Sequence, residues 1–277
     1  RRDTMVGARS PLLAALAGAV LLSLGAIALI GHQAASQTGA EVMGSAQLAA
    51  AAQQTTELTV AWKPIRNQDP GFYPDKMWLY TGRETYLDTH PKEAGDLKSV
   101  LRHSHYQTEV MTFDSLSIAP MRAVCWDESA HVIVFPPFAE YPDIHPIAKT
   151  DLKSYVSTGN NIVFLGGFAS VGLINELFGF GLKAEVYQAG PFYRSPRYAP
   201  GTVFEALPSR VGEVGDIYGV KTSSLPPGAR SYYDTLGDSV VWSVRYDFGM
   251  ITYVGNNMAD AYQMQTWHNI LRAAVSI

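Results

Sequence analysis

The 277-residue chain has a single cysteine, Cys125. One thiol excludes an internal disulfide framework and any cysteine-rich zinc or iron–sulfur site. Basic side chains are also few: 21 Lys and Arg stand against 25 Asp and Glu, a formal charge of −4. That balance excludes a nucleic-acid binder working through a broadly basic face. No Lys or Arg occurs between Arg9 and Lys63, and there is no Asn-x-Ser/Thr sequon, HExxH pair or G-x-S-x-G pattern. The histidine-helix zinc site and the nucleophile elbow are therefore not written in the chain.

An apolar run is present at the start. Pro11 to Ile30 carry no charge and follow Arg1, Arg2 and Arg9. A helix of that length spans roughly 30 Å, the hydrocarbon thickness of a bilayer. The expectation is a transmembrane helix over 11–30, behind a flank at 1–10, with the rest of the chain translocated. A cleaved leader ending near Ala34-Ala35-Ser36 is the alternative. Mitochondrial, plastid and secretory membranes fit equally. Gly18, Gly25, Ala14, Ala15 and Ala19 give this helix small faces for packing on other transmembrane helices. Residues 31–56, rich in Ala, Gln, Ser and Gly, read as a tether, and 57–277 as one α/β domain.

Within that domain, short apolar runs alternate with helical patterns. Strands are expected at Met77–Thr81, Glu109–Phe113, His131–Pro136 and Asn161–Leu165. Leu97, Val100 and Leu101 share one helical face. A second helix starts at Pro146 and ends at Gly159, and a third carries Leu173, Ile174, Leu177 and Phe178 before Gly179. This alternation predicts a mostly parallel sheet covered by helices on both faces, a three-layer α/β sandwich. Further strands are expected at Lys183–Tyr187, Thr202–Phe204 and Ile217–Thr222. Ser239–Tyr246 and Met250–Val254 should form a hairpin around Asp247-Phe248-Gly249, and a final helix should cover Ala259–Val275.

The stretches Ile133–Pro137 and Leu152–Gly167, then Leu173-Ile174-Asn175-Glu176-Leu177-Phe178-Gly179 and Tyr246–Asn257, resemble class I glutamine amidotransferase-like (flavodoxin-like) domains. Their non-amidotransferase branches, including trehalose-utilisation-type proteins, are the nearest in pattern. The resemblance runs from Lys76 to Ile277. It implies a catalytic cysteine after the strand Asn161–Leu165 and a His-x-Glu pair near the last strand. Gly166-Gly167-Phe168-Ala169-Ser170 and Asn256-Asn257-Met258 stand there instead, and Cys125 lies far upstream. Nucleophile, base and orienting carboxylate are all missing at the matching positions, so glutamine hydrolysis is not expected.

Ser170 reads as a helix N-cap rather than a nucleophile. His103 and His105 have strand-like spacing but no supporting carboxylate cluster, so no metal and no cofactor is expected. Gly166-Gly167 reads as a tight turn, with phosphate binding as the alternative. The segment from Tyr187 to Tyr198 interleaves aromatics with arginines. Phe192, Tyr193, Arg194, Arg197 and Tyr198 could form a protein interface, a small-ligand or lipid-headgroup site, or a plain loop. Ser231-Tyr232-Tyr233-Asp234 is equally open.

The function expected is a non-catalytic accessory or scaffold subunit of a membrane complex, contacting other subunits and the bilayer. A carbohydrate-binding module is the alternative, at the carboxyl edge of the sheet: Thr81, Gly82, Phe138, Glu140, Gly166, Gly167, Ser170, Asn256 and Asn257. A hydrolase using Glu140 or Asp143 as base is a third possibility.

Overall fold

The computed structural model describes residues 74–277, apart from residue 90 and the stretches 106–107, 188–189, 213–215 and 259–264. The expected transmembrane helix and tether lie outside the described residues. Among these residues, no helix is long and apolar enough to cross a membrane.

The elements in chain order are β1 (Lys76–Tyr80), α1 (Tyr86–Thr89), α2 (Pro91–Arg102), β2 (Glu109–Phe113), α3 (Ile118–Cys125), β3 (Val132–Phe135), α4 (Pro146–Ser157), β4 (Asn161–Leu165) and α5 (Phe168–Phe178). Then come β5 (Ala184–Tyr187), β6 (Phe192–Arg194), β7 (Arg210–Val211), β8 (Ile217–Lys221), β9 (Arg230–Thr235), β10 (Asp238–Tyr246), β11 (Gly249–Val254) and α6 (Gln265–Ala274).

Five strands pair in parallel in the order β2-β1-β3-β4-β11. This is the flavodoxin-like order, with β11 in the fifth place. The helices α3, α4 and α5 pack on one face, where Tyr80, Ile133, Phe135, Ile162, Phe164, Ile251 and Tyr253 point. On the other face α2 packs against α6, and Arg272 Nε donates to Val100 O at 3.3 Å. All residues of β3, β4 and β11 are buried, as strands covered on both sides must be.

Several expectations are corrected. The sheet is not mostly parallel: among the described residues the five parallel strands are joined by six others, β5 to β10, through antiparallel pairings. The two-residue links β9–β10 and β10–β11 leave room only for antiparallel pairing. Thr202–Phe204 is a turn, because Thr202 Oγ1 bonds the Ala199 carbonyl at 2.7 Å and accepts from Phe204 N at 3.2 Å; such local bonds compete with a strand ladder. The last helix is described only from Gln265, with Trp267, Ile270, Leu271 and Ala274 buried as its periodicity requires. Ser231–Asp234 lies in β9, with Tyr232 and Tyr233 buried.

The capping signals of α4 hold. His145 caps α4 through Nδ1, Pro146 follows at the first helical position, and Gly159 takes φ 109° just beyond the C-cap. The β10–β11 hairpin turns at Asp247-Phe248. Gly249 is needed there for space rather than for φ: a Cβ would lie 2.1 Å from Asn160 O and 2.2 Å from Val156 O.

Candidate functional site

In a sheet of this order, loops part at the switch point between β1 and β3, outside the carboxyl ends of the strands. A cleft of about 780 Å³ opens there. Thr81, Arg83 and Glu84 line it from the end of β1, and Asp114, Ser115, Leu116 and Ser117 from the end of β2. Asp143, His145 and Pro146 close it from the segment entering α4.

Local sequence explains this placement. The Tyr80 ring passes over Gly82, where a Cβ would lie 1.9 Å from Tyr80 Oη. With that space open, Tyr80 Oη donates to Glu84 Oε1 at 2.5 Å and holds the carboxylate at the cleft. Burial, and then the Glu84 carboxylate, push the Tyr80 hydroxyl well above its ordinary pKa, so it stays a donor. Ser115 Oγ lies 2.9 Å from Ser117 Oγ, and Thr81 Oγ1 donates to Phe113 O at 3.3 Å. The helices α3 and α4 both start at this cleft. Their amino ends favour negative charge, and Glu84, Asp114 and Asp143 supply it, so a free anion would meet three carboxylates.

Of the nine edge residues expected from the sequence, only Thr81 lines the cleft. Phe138 is 7% exposed and packs on Tyr80 and Phe135 as part of the core. Glu140 is exposed beside the cleft, its amide bonded to Glu84 O at 3.2 Å. Ser170 is not an N-cap: Gly167 holds that position, and Ser170 is fully buried one turn in, donating to Gly166 O at 3.3 Å.

The ends of β4 and β11 are covered rather than open. A Cβ on Gly166 would lie 2.3 Å from Gly255 O, and one on Gly255 would lie 2.0 Å from Tyr218 O. Tyr218 N donates to Gly255 O at 2.8 Å, so the start of β8 closes this edge. Gly166 N–H donates to Asn256 O at 3.4 Å instead of facing a phosphate, and Gly167 takes φ 112° to make the turn. Asn256 Oδ1 accepts from Met258 N at 2.7 Å, and Asn257 Nδ2 donates to Asp216 at 3.3 Å. Both asparagines tie the chain around the β11 end.

The other residues singled out from the sequence are spread out. Phe192 is fully buried edge-on to Trp267 at 5.9 Å, so it is core and not interface. Arg194 donates to the carbonyls of Phe204, Glu205 and Leu207, stitching a loop. Tyr193 is 52% exposed, and Arg197 lies over the Tyr198 ring at 5.1 Å. His103 and His105 follow the end of α2 instead of sitting on a strand, with His103 Nδ1 on Ser99 O at 2.6 Å. Among the described residues no group of three or more His, Cys, Asp or Glu could hold a metal ion. No motif had marked Arg83, Asp114, Ser115 or His145; only their positions just after β1 and β2 and just before α4 could have pointed to them.

No family model matches this chain, and no curated protein matches its sequence. Solved structures do. A ThuA-like protein from Parabacteroides merdae ATCC 43184 superposes with a TM-score of 0.50 at 16% identity, covering 73% of this chain and 89% of that one. A ThuA-like protein from Bacteroides uniformis ATCC 8492 gives a TM-score of 0.49 at 10% identity over 74% and 93%. The β-galactosidase from Rahnella sp. R3 gives 0.46 at 13% identity over 73% of this chain and 30% of the enzyme. The flavodoxin-like strand order and the superposition on the Parabacteroides merdae structure agree on a flavodoxin-like fold.

Proposed function

We propose that this chain is a non-catalytic α/β module that binds a neutral, hydroxyl-rich small molecule of the sugar or polyol class in the switch-point cleft. The cleft itself carries the reading. It combines three carboxylates, two serine hydroxyls, a threonine, a histidine and one guanidinium. Carboxylates accept from neighbouring hydroxyls, while Arg83 and the serines donate to ring and hydroxyl oxygens. The three carboxylates disfavour anions. The resemblance to trehalose-utilisation-type sequences supports the same class. Amidotransferase chemistry is outside this reading, because Gly166, Gly167 and the buried Ser170 stand where the nucleophile would be.

The test is calorimetric titration of the full chain with glucose, galactose, mannose, trehalose and inositol. At least one should bind saturably. Asp114→Asn and Asp143→Asn should each weaken it about tenfold, a charged hydrogen bond lost, while Glu140→Gln leaves it unchanged. No binding by any of the panel, or binding indifferent to both Asn variants, would overturn the proposal.

A second reading, an accessory subunit held at a membrane, is favoured by the charge-free run Pro11–Ile30. Purification in mild detergent should then recover stoichiometric partner subunits. Recovery as a lone monomer would count against it.

A further inference from the structure

Two large aromatic rings stand exposed around the start of α5, one of them on the segment that leads into the cleft. Tyr141 is 54% exposed and Phe168 is 55% exposed. Tyr141 belongs to the segment that also presents Asp143 to the cleft, two residues on. Its ring lies over Gly172 of α5, where a Cβ would come within 2.9 Å of Tyr141 Cε2. Its hydroxyl donates to Glu176 Oε2 at 2.6 Å, and Glu176 in turn pairs with Lys149. The ring is thus pinned at its tip by an ion pair while its side stays open.

Phe168 is four residues before Gly172 on the same helix. Side chains so spaced lie on one face, roughly 5–6 Å apart. The Tyr141 ring occupies the space above Gly172, one turn further along the same face of α5. Phe168 is held in turn by Tyr218, edge-on at 5.5 Å and 79°. Rigid rings cost little further entropy when a ligand stacks on them.

We infer that the ligand is a chain of sugar rings, one held in the cleft by hydrogen bonds and the following ones stacked on Tyr141 and Phe168. This rests on the reading of the cleft as a sugar-type site. A pyranose ring has an apolar face and a polar rim. The platform offers two aromatic rings, with Glu176 and Lys149 at its edge, and joins the cleft through the Tyr141–Asp143 segment.

Affinities of the full chain for glucose and for α-1,4- and β-1,4-linked glucose oligomers of two to six units test the inference. Affinity should rise about tenfold over the first two or three rings of one series and then level off. Tyr141→Ala and Phe168→Ala should remove that rise and leave single-ring binding intact. Phe168→Leu, which keeps apolar volume but not the aromatic face, should act like Phe168→Ala. Asp143→Asn should weaken every length alike. Affinity independent of length, or a rise that survives the aromatic variants, overturns the extended site while the cleft reading stands; in that case the rings serve a protein contact or nothing. If neither glucose nor any oligomer binds, the extended site falls, and the cleft reading falls with it only if galactose, mannose, trehalose and inositol also fail to bind.

Discussion

Asp127 accepts from Trp78 Nε1 at 3.0 Å, from Ser129 Oγ at 2.6 Å and from Ser129 N at 3.1 Å, and pairs with Lys76 at 2.8 Å. Burial pushes its carboxyl up, but Lys76, Ser129 and Trp78 together outweigh that and bring it down to about 2. A carboxyl lowered on folding stabilises the protein above its unfolded pKa of about 4, and that contribution fades as pH falls through the folded value. Urea midpoints of the wild type and Asp127→Asn should therefore differ most at pH 5 and converge towards pH 2. A gap that stays constant over this range would show that the carboxylate charge is not what the site holds. Single glycines act at the same scale by what they leave out. Gly82 lets Tyr80 reach Glu84, and Gly255 lets β8 close over β11. In the sequence both look like ordinary turn residues, because the atom that would clash comes from the folded backbone or from a ring that only folding places there.

Among the elements, β6 shows why the Tyr187–Tyr198 segment could not be assigned from its letters. Aromatic and arginine residues suit an interface, a ligand site or a half-buried strand alike. In the fold the segment alternates: Phe192 points inward onto Trp267 of α6, while Tyr193 points out, paired across the sheet with Arg210 and Asp234. Phe192→Ala should cost about 3–5 kcal/mol in chemical denaturation, the usual price of emptying a buried ring site. Tyr193→Ala should stay within about 1 kcal/mol. Equal effects would contradict the strand. The capping signals of α4 were readable for the opposite reason: Pro146 and Gly159 act within one turn of the chain and need no tertiary partner.

Across the whole molecule, burial is uneven. Every residue of β3, β4 and β11 is buried, whereas β7 is two residues long and only Val211 is buried there. Hydrogen exchange of the intact chain should therefore be slowest in β3, β4 and β11 and faster by several orders of magnitude in β7, since edge pairings open without global unfolding. Uniform protection would contradict this division.

The linear chain by itself settled the four strands β1 to β4, the helices α2, α4 and α5 that follow three of them, and where α4 and α5 end, whereas the helix α3 and the strands β6 and β7 were not read from it. The settled elements rest on local periodicity and capping, both present in neighbouring letters. Only the tertiary structure decided that β11 completes the parallel sheet, that β8 covers its far end, and that the open cleft lies between β1, β2 and α4. Strand order and cleft position depend on contacts between residues far apart in sequence, and hydrophobic periodicity carries no information about which distant strand a strand will join.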